Sequence, residues 1–252
     1  MTRTNDDPLE GLVVGAVPYL NVEPLVRGLS GFKSLRPSDL ARALDGGEVD
    51  LATLPVGALV GRKDLVALPS CGIASDGPVR TVLLQPLDRV PISDNFCPDP
   101  ASRTSNLLAR LLLAQIRGKP IPPATESPLR VVIGDPAFSI DPKAALDMGA
   151  AWKEWTDLPF VFALWVAGPR LAEDSKRLLE VDSALRERAV SNLREVDKIC
   201  QEQRVVPFET AREYLTEHIR HILDERFRNG ADRFAAELER AGLATGGIRW
   251  AC

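Results

Sequence analysis

The sequence predicts an α/β protein built as two lobes, and three observations carry that prediction. Through the first half of the chain, short apolar β-branched runs end in turns that feed amphipathic segments, the pattern of alternating strands and helices. A stretch rich in Pro and Asp at 86–100 interrupts the alternation. From Ala172 onward the periodicity becomes helical. Residues 9–86 and 162–252 are therefore assigned to one discontinuous domain and 87–161 to an inserted second one. The strand-like runs at 79–86 and 160–167 would cross between them. Two lobes joined in this way enclose a cleft, which is a natural ligand site.

In chain order, Val13-Val14-Gly15-Ala16-Val17 reads as the first strand, Pro18 to Asn21 as a turn, and Leu25, Val26 and Leu29 as the face of a helix. Ligands sit beyond the carboxyl ends of strands in open α/β sheets, which puts Tyr19 and Asn21 where a site is expected. The alternative is that Asn21 only caps the helix. Ser38 to Leu44 reads as a helix with Ser38 as N-cap and Gly46-Gly47 as terminator. Val49 to Leu54, ended by Pro55, and Leu65 to Leu68 read as strands. Ile73 to Pro78 reads as a turn before the strand Val79 to Leu84, and the whole predicts a mainly parallel sheet. Leu107, Leu108, Leu111, Leu112 and Ile116 fall at helical spacing behind Ser102, with Gly118 as terminator. Val131 to Ile133 is a buried strand halted at Gly134. Asp147 to Thr156 holds a short helix, and Phe160 to Val166 is the most strand-like run in the chain. Leu178, Leu185, Leu193 and Val196 mark one long helix, and 209–223 and 231–243 read as two more.

Composition narrows the classes. The chain has 252 residues, 45% of them apolar and 26% charged, as in ordinary globular proteins. A formal net charge of −4 argues against a non-specific nucleic-acid binder. The start, Met1 to Asp7, is polar without the apolar core of a signal peptide, and no run reaches the length of a membrane helix. Cys71, Cys97, Cys200 and Cys252 form no close pair and read as reduced packing residues, so the cytoplasm is the expected compartment. His218 and His221 read as surface or packing residues, and Trp152, Trp155 and Trp165 as packing. No metal-ligand spacing, phosphate-binding loop or nucleophile elbow is found, so neither a metal nor a cofactor is expected.

Candidate chemistry lies at strand ends and at one helix start. Ser102-Arg103-Thr104-Ser105 offers hydroxyls, free backbone amides and the positive end of a helix dipole, which together favour a carboxylate or phosphate. The same residues equally make a plain N-cap. Gly134-Asp135 puts a carboxylate at the edge of the cleft, in a place where Asp is also a common turn former. Ser75, Asp76, Gly77 and Thr81 supply polar groups around the first crossing.

Five segments in one order resemble a known family. They are Gly15-Ala16-Val17-Pro18-Tyr19-Leu20-Asn21, Ser75-Asp76-Gly77-Pro78-Val79, Ser102-Arg103-Thr104-Ser105, Ile133-Gly134-Asp135, and the run from Trp152 to Trp165. The family is the chorismate dehydratase of the futalosine route to menaquinone, and the resemblance runs from about Val13 to Leu243. The Ser-Pro-Cys-Pro-Asn-Asp type opening of a sister family, the dihydroxynaphthoate synthase, is absent. The resemblance implies the type 2 periplasmic-binding-protein fold and the conversion of chorismate, a dianionic small molecule, to 3-(1-carboxyvinyloxy)benzoate and water without metal or redox cofactor. It implies catalytic positions at Asn21, Thr81 and Asp135, and substrate binding at Tyr19, Ser75, Ser102, Thr104 and Ser105. Arg103 and the local dipoles would attract the substrate. The chain departs from the family pattern in a short, Pro-rich segment between Gly118 and Arg130, and at Val56-Gly57-Ala58-Leu59.

Overall fold

The computed structural model describes residues 7–30 and 32–252, with Pro37 and Ser38 described in backbone only. Met1 to Asp6 of the expected polar start lie outside the described residues. Val14–Ala16 (β1) leads through a turn at Leu20–Val22 into the short helix Glu23–Val26 (α1). Lys33–Ser34 (β2), Pro37–Asp45 (α2), Leu51–Pro55 (β3), a turn at Val56–Ala58 and the ten-residue Val66–Ser75 (β4) follow. The middle of the chain holds Val82–Gln85 (β5), Arg103–Arg117 (α3), Arg130–Ile133 (β6), a turn at Asp135–Ser139, Leu146–Asp147 (β7) and Met148–Thr156 (α4). Phe160–Ala167 (β8) is followed by Ser175–Arg194 (α5), Val196–Glu202 (α6) and Phe208–Glu213 (α7). A π-helical turn at Tyr214–His218, then Arg220–Ile222 (β9) and Glu225–Arg240 (α8), complete the order.

The strands form a six-stranded sheet in the order β2-β1-β3-β8-β4-β9 and a three-stranded sheet in the order β6-β5-β7. A mainly parallel sheet was expected, and the structure corrects this. Among the named strands of the described residues, parallel pairing is confined to β1 with β2 and β3. The β3–β8, β4–β8 and β4–β9 pairings, and both pairings of the smaller sheet, are antiparallel. At the centre of the large sheet β8 inserts between β3 and β4 and runs against both. An apolar run reports burial and carries no direction. Ile73 to Ser75, expected as a turn, continue β4 past a register shift between Ala67 and Gly72. Consequently β4 and β8 stay in the large sheet and β5 in the small one. The chain passes between the sheets in turns, at 76–81 and 157–159, and not along strands.

The helices are mostly where periodicity puts them, with three corrections. Arg36 occupies the cap of α2, so Ser38 falls inside the first turn. The long helix after Ala172 breaks at Glu195 into α5 and α6. The expected helix 209–223 is helical only to His218 and then becomes an edge strand beside β4. Trp152, Phe160, Trp165 and Phe234 are fully buried. The Trp152–Phe160 and Phe160–Phe234 rings meet edge to face at 5.2 and 5.1 Å, joining α4, β8 and α8. Burying a side chain of this size is worth about 1.5–3 kcal/mol, so this cluster anchors the return from the small sheet. All four cysteines are free. Among the described residues no helix is long and apolar enough to cross a membrane.

Candidate active site

A cavity lies between the two sheets. The end of β1 and its turn supply Val17, Tyr19 and Asn21, β3 supplies Thr53, and the first crossing supplies Thr81. Ser102, Thr104 and Ser105 enter from the start of α3, and Gly134 from the end of β6. Among the described residues every side chain lining the cavity is uncharged.

Asn21 is not a helix cap. No side chain caps α1, and the Asn21 Nδ2 donates instead to the Tyr214 hydroxyl at 2.9 Å. Its Oδ1 is buried without a protein partner, as is Thr53 Oγ1. An unmet buried polar atom costs about 1–3 kcal/mol, a cost that a bound polar ligand would offset. The His221 Nε2 donates to the Asn21 carbonyl at 2.8 Å. Burial drives the His221 pKa down to about 4, so the ring is neutral and its Nε2–H tautomer makes this bond. Thr81 Oγ1 lies 2.8 Å from the same Tyr214 hydroxyl. Burial raises the Tyr214 pKa well above its usual value, so the phenol keeps its proton.

Thr81 is held by charged neighbours that do not enter the cavity. The Asp147 carboxylate accepts from the Val79 and Arg80 amides and also caps α4 through Gly149 and Ala150. The Arg80 guanidinium donates to the carbonyls of Ala137, Phe138 and Ile140, fixing the turn that follows Gly134.

The start of α3 is a built cap. Ser102 Oγ accepts from the Ser105 amide at 3.0 Å and donates to Ser105 Oγ at 2.8 Å. The Ser105 hydroxyl proton is therefore free for a ligand, and the amides of the first turn have no intrahelical acceptor. Asn106 pins the approach through two hydrogen bonds with the Asp99 backbone. Thr104 Oγ1 accepts from the Gly57 amide at 2.9 Å, linking the turn after β3 to α3. A Cβ on Gly57 would meet Leu107 Cδ1 at 3.0 Å and Thr104 Cα at 3.2 Å. A side chain there would be tight and would push its neighbours by a few tenths of an ångström, so the unusual Val56–Leu59 segment is a close contact between the lobes. Arg103 is exposed and does not line the cavity, which leaves hydroxyls and dipoles as its polar groups.

Two expected residues stand outside the lining. Ser75 is fully buried and donates to the Gly77 carbonyl at 2.9 Å. Asp135 is half-buried behind Gly134, and burial raises its pKa against the opposing effect of the Leu20 amide. The Tyr19 ring packs on Gly134, whose φ of 66° favours glycine. Burial, Asp99 and Asp135 all raise the Tyr19 pKa. Sequence reasoning missed Thr53 and Tyr214. Thr53 is signalled only by a hydroxyl inside an apolar strand, and Tyr214 by nothing local.

Comparisons with known proteins agree with this architecture. Chorismate dehydratase of Thermus thermophilus is 29% identical over 260 residues, covering 90% of this chain and 94% of that protein. Chorismate dehydratase of Campylobacter jejuni is 29% identical over 167 residues, covering 60% of this chain and 66% of that one. A Candida albicans protein with the generic periplasmic-binding-protein fold superposes with a TM-score of 0.56 at 13% identity, covering 94% of this chain and 96% of that one. The two-lobed α/β architecture is thus that of the periplasmic binding proteins. The profile of a family described as menaquinone biosynthesis matches residues 12–240, and the chain belongs to that family.

Proposed function

We propose that the protein is a chorismate dehydratase, a hydro-lyase forming 3-(1-carboxyvinyloxy)benzoate and water for menaquinone synthesis. The observation that carries the reading is an uncharged interlobe cavity whose polar groups fall into two sets, the α3 start on one side and Asn21 with Thr81 on the other. The expected division into 9–86 with 162–252 and an inserted 87–161 fits this reading, with β5 at 82–85 counted with the smaller sheet. In the reaction a ring C–H pair becomes ring π density, the ring C–O bond breaks, and the departing hydroxyl takes a proton to leave as water. Aromatisation drives the step, so the protein has chiefly to orient a dianion, manage one proton and exclude bulk water.

Ser102, Thr104, Ser105 and the α3 amides hold a carboxylate, and Tyr19 contacts the substrate from the turn after β1. Asn21 and Thr81 orient the substrate around its leaving hydroxyl. Either Asp135 or the substrate's own enolpyruvyl carboxylate takes the ring proton. Asp135→Asn decides between them: a turnover loss of about 100-fold or more identifies the Asp135 carboxylate, and near-normal turnover identifies the substrate. The cytoplasm is the expected setting, supported by the free cysteines.

Incubating the purified protein with chorismate and following the benzoate product by chromatography tests the function. Product formation is the expected result. Binding without turnover would leave a receptor for small carboxylates instead.

A further inference from the structure

We propose that Tyr214 is a positioning residue whose hydroxyl sets which way the Asn21 amide and the Thr81 hydroxyl face the cavity, making that wall a socket for the departing ring hydroxyl. The inference rests on the function proposed above and assigns a part of the site that sequence patterns did not reveal. A phenol oxygen has one proton and two lone pairs. Here it accepts from Asn21 Nδ2 at 2.9 Å. Its own buried proton also needs an acceptor, and Thr81 Oγ1 is in reach at 2.8 Å.

These two bonds fix the polarity of the wall. With Nδ2 committed to the phenol, Asn21 turns away its Oδ1, the buried atom without a protein partner. With its oxygen accepting from the phenol, Thr81 keeps its own proton for the cavity. The wall therefore presents one acceptor beside one donor. A carboxylate only accepts and leaves Oδ1 unmet. A hydroxyl donates to Asn21 and accepts from Thr81, and that donation from Thr81 supports the oxygen as it leaves. The Tyr214 ring is itself fixed, edge to face with Phe138 at 5.0 Å and 85°. The strand that follows ties down the other end of Asn21 through His221.

Tyr214→Phe keeps the ring and removes only the oxygen. In a chorismate assay, kcat should fall about 10–100-fold while KM stays within about two-fold, the pattern of an interaction made in the transition state. The benzoate product has lost the hydroxyl, so it should inhibit variant and wild type equally, whereas general damage to the site would weaken both ligands. A kcat within about two-fold of wild type, or a loss confined to KM, would overturn the role. If the Phe variant does not fold, Thr81→Val carries the test. It must lose kcat at constant KM, and retained kcat overturns the proposal. Wild-type protein that leaves chorismate intact overturns the function itself, and this role with it, a result distinct from an active enzyme indifferent to Tyr214→Phe.

Discussion

The Asn21 carboxamide commits its nitrogen to Tyr214 and leaves its oxygen buried without a protein partner in the cavity wall. Asn21→Ala should therefore lower kcat by about 100-fold or more while the circular dichroism spectrum stays native, since removing one preorganised polar group costs that much. Ser105→Ala should act on binding instead, raising KM by about ten-fold through the loss of one hydrogen bond to a charged oxygen. An unchanged Michaelis constant would assign the carboxylate to other groups. Gly134→Ala adds a methyl 3.4 Å from the Tyr19 ring at a residue with φ 66° and ψ −151°. That backbone is nearly exclusive to glycine, so the variant should lose about 1–3 kcal/mol in denaturant unfolding. Residues lining the cavity were legible where local chemistry marks them, as at the Ser102 cap or the polar turn that ends β1. Tyr214 was not, because it reaches Asn21 across 193 positions of sequence and nothing around it differs from an ordinary packed aromatic.

Elements were legible when one periodicity ran their full length. In α3, Ser102 starts the helix, a leucine stripe covers its buried face and Gly118 stops it in the left-handed conformation. The segment after Phe208 failed because it changes periodicity midway. Ile219, His221 and Leu223 are buried in alternation with Arg220 and Ile222, a strand pattern hidden by counting His221 as polar. Strand direction was also illegible, since β8 has the same apolar content whichever way it runs. The buried imidazole gives β9 a pH signature. His221 falls from 6.5 to about 4 on folding, so the unfolded chain binds more protons between those values. Stability is complete above pH 6.5 and is lost as pH falls toward 4, on the order of 3 kcal/mol for this group. Asp135 and Asp182, both raised by burial, act in the opposite sense. The test therefore compares urea midpoints of wild type and His221→Asn across that range, and the variant should show the flatter acid limb.

At the scale of the molecule, the lobes touch directly through Gly57 with Thr104 and Tyr19 with Gly134, around the cavity that separates them. A ligand bridging that gap stabilises only the folded, closed chain. Chorismate or its product at 100 times its dissociation constant should add about 2.7 kcal/mol, visible as a rise in melting temperature. A cavity wall without fixed charge has a further effect. A dianion nearing a protein of net charge −4 meets long-range repulsion, and among the described residues no cationic side chain lines the cavity it enters. Ionic strength should then accelerate capture, reversing the salt sensitivity of enzymes that draw anions in with arginine and lysine.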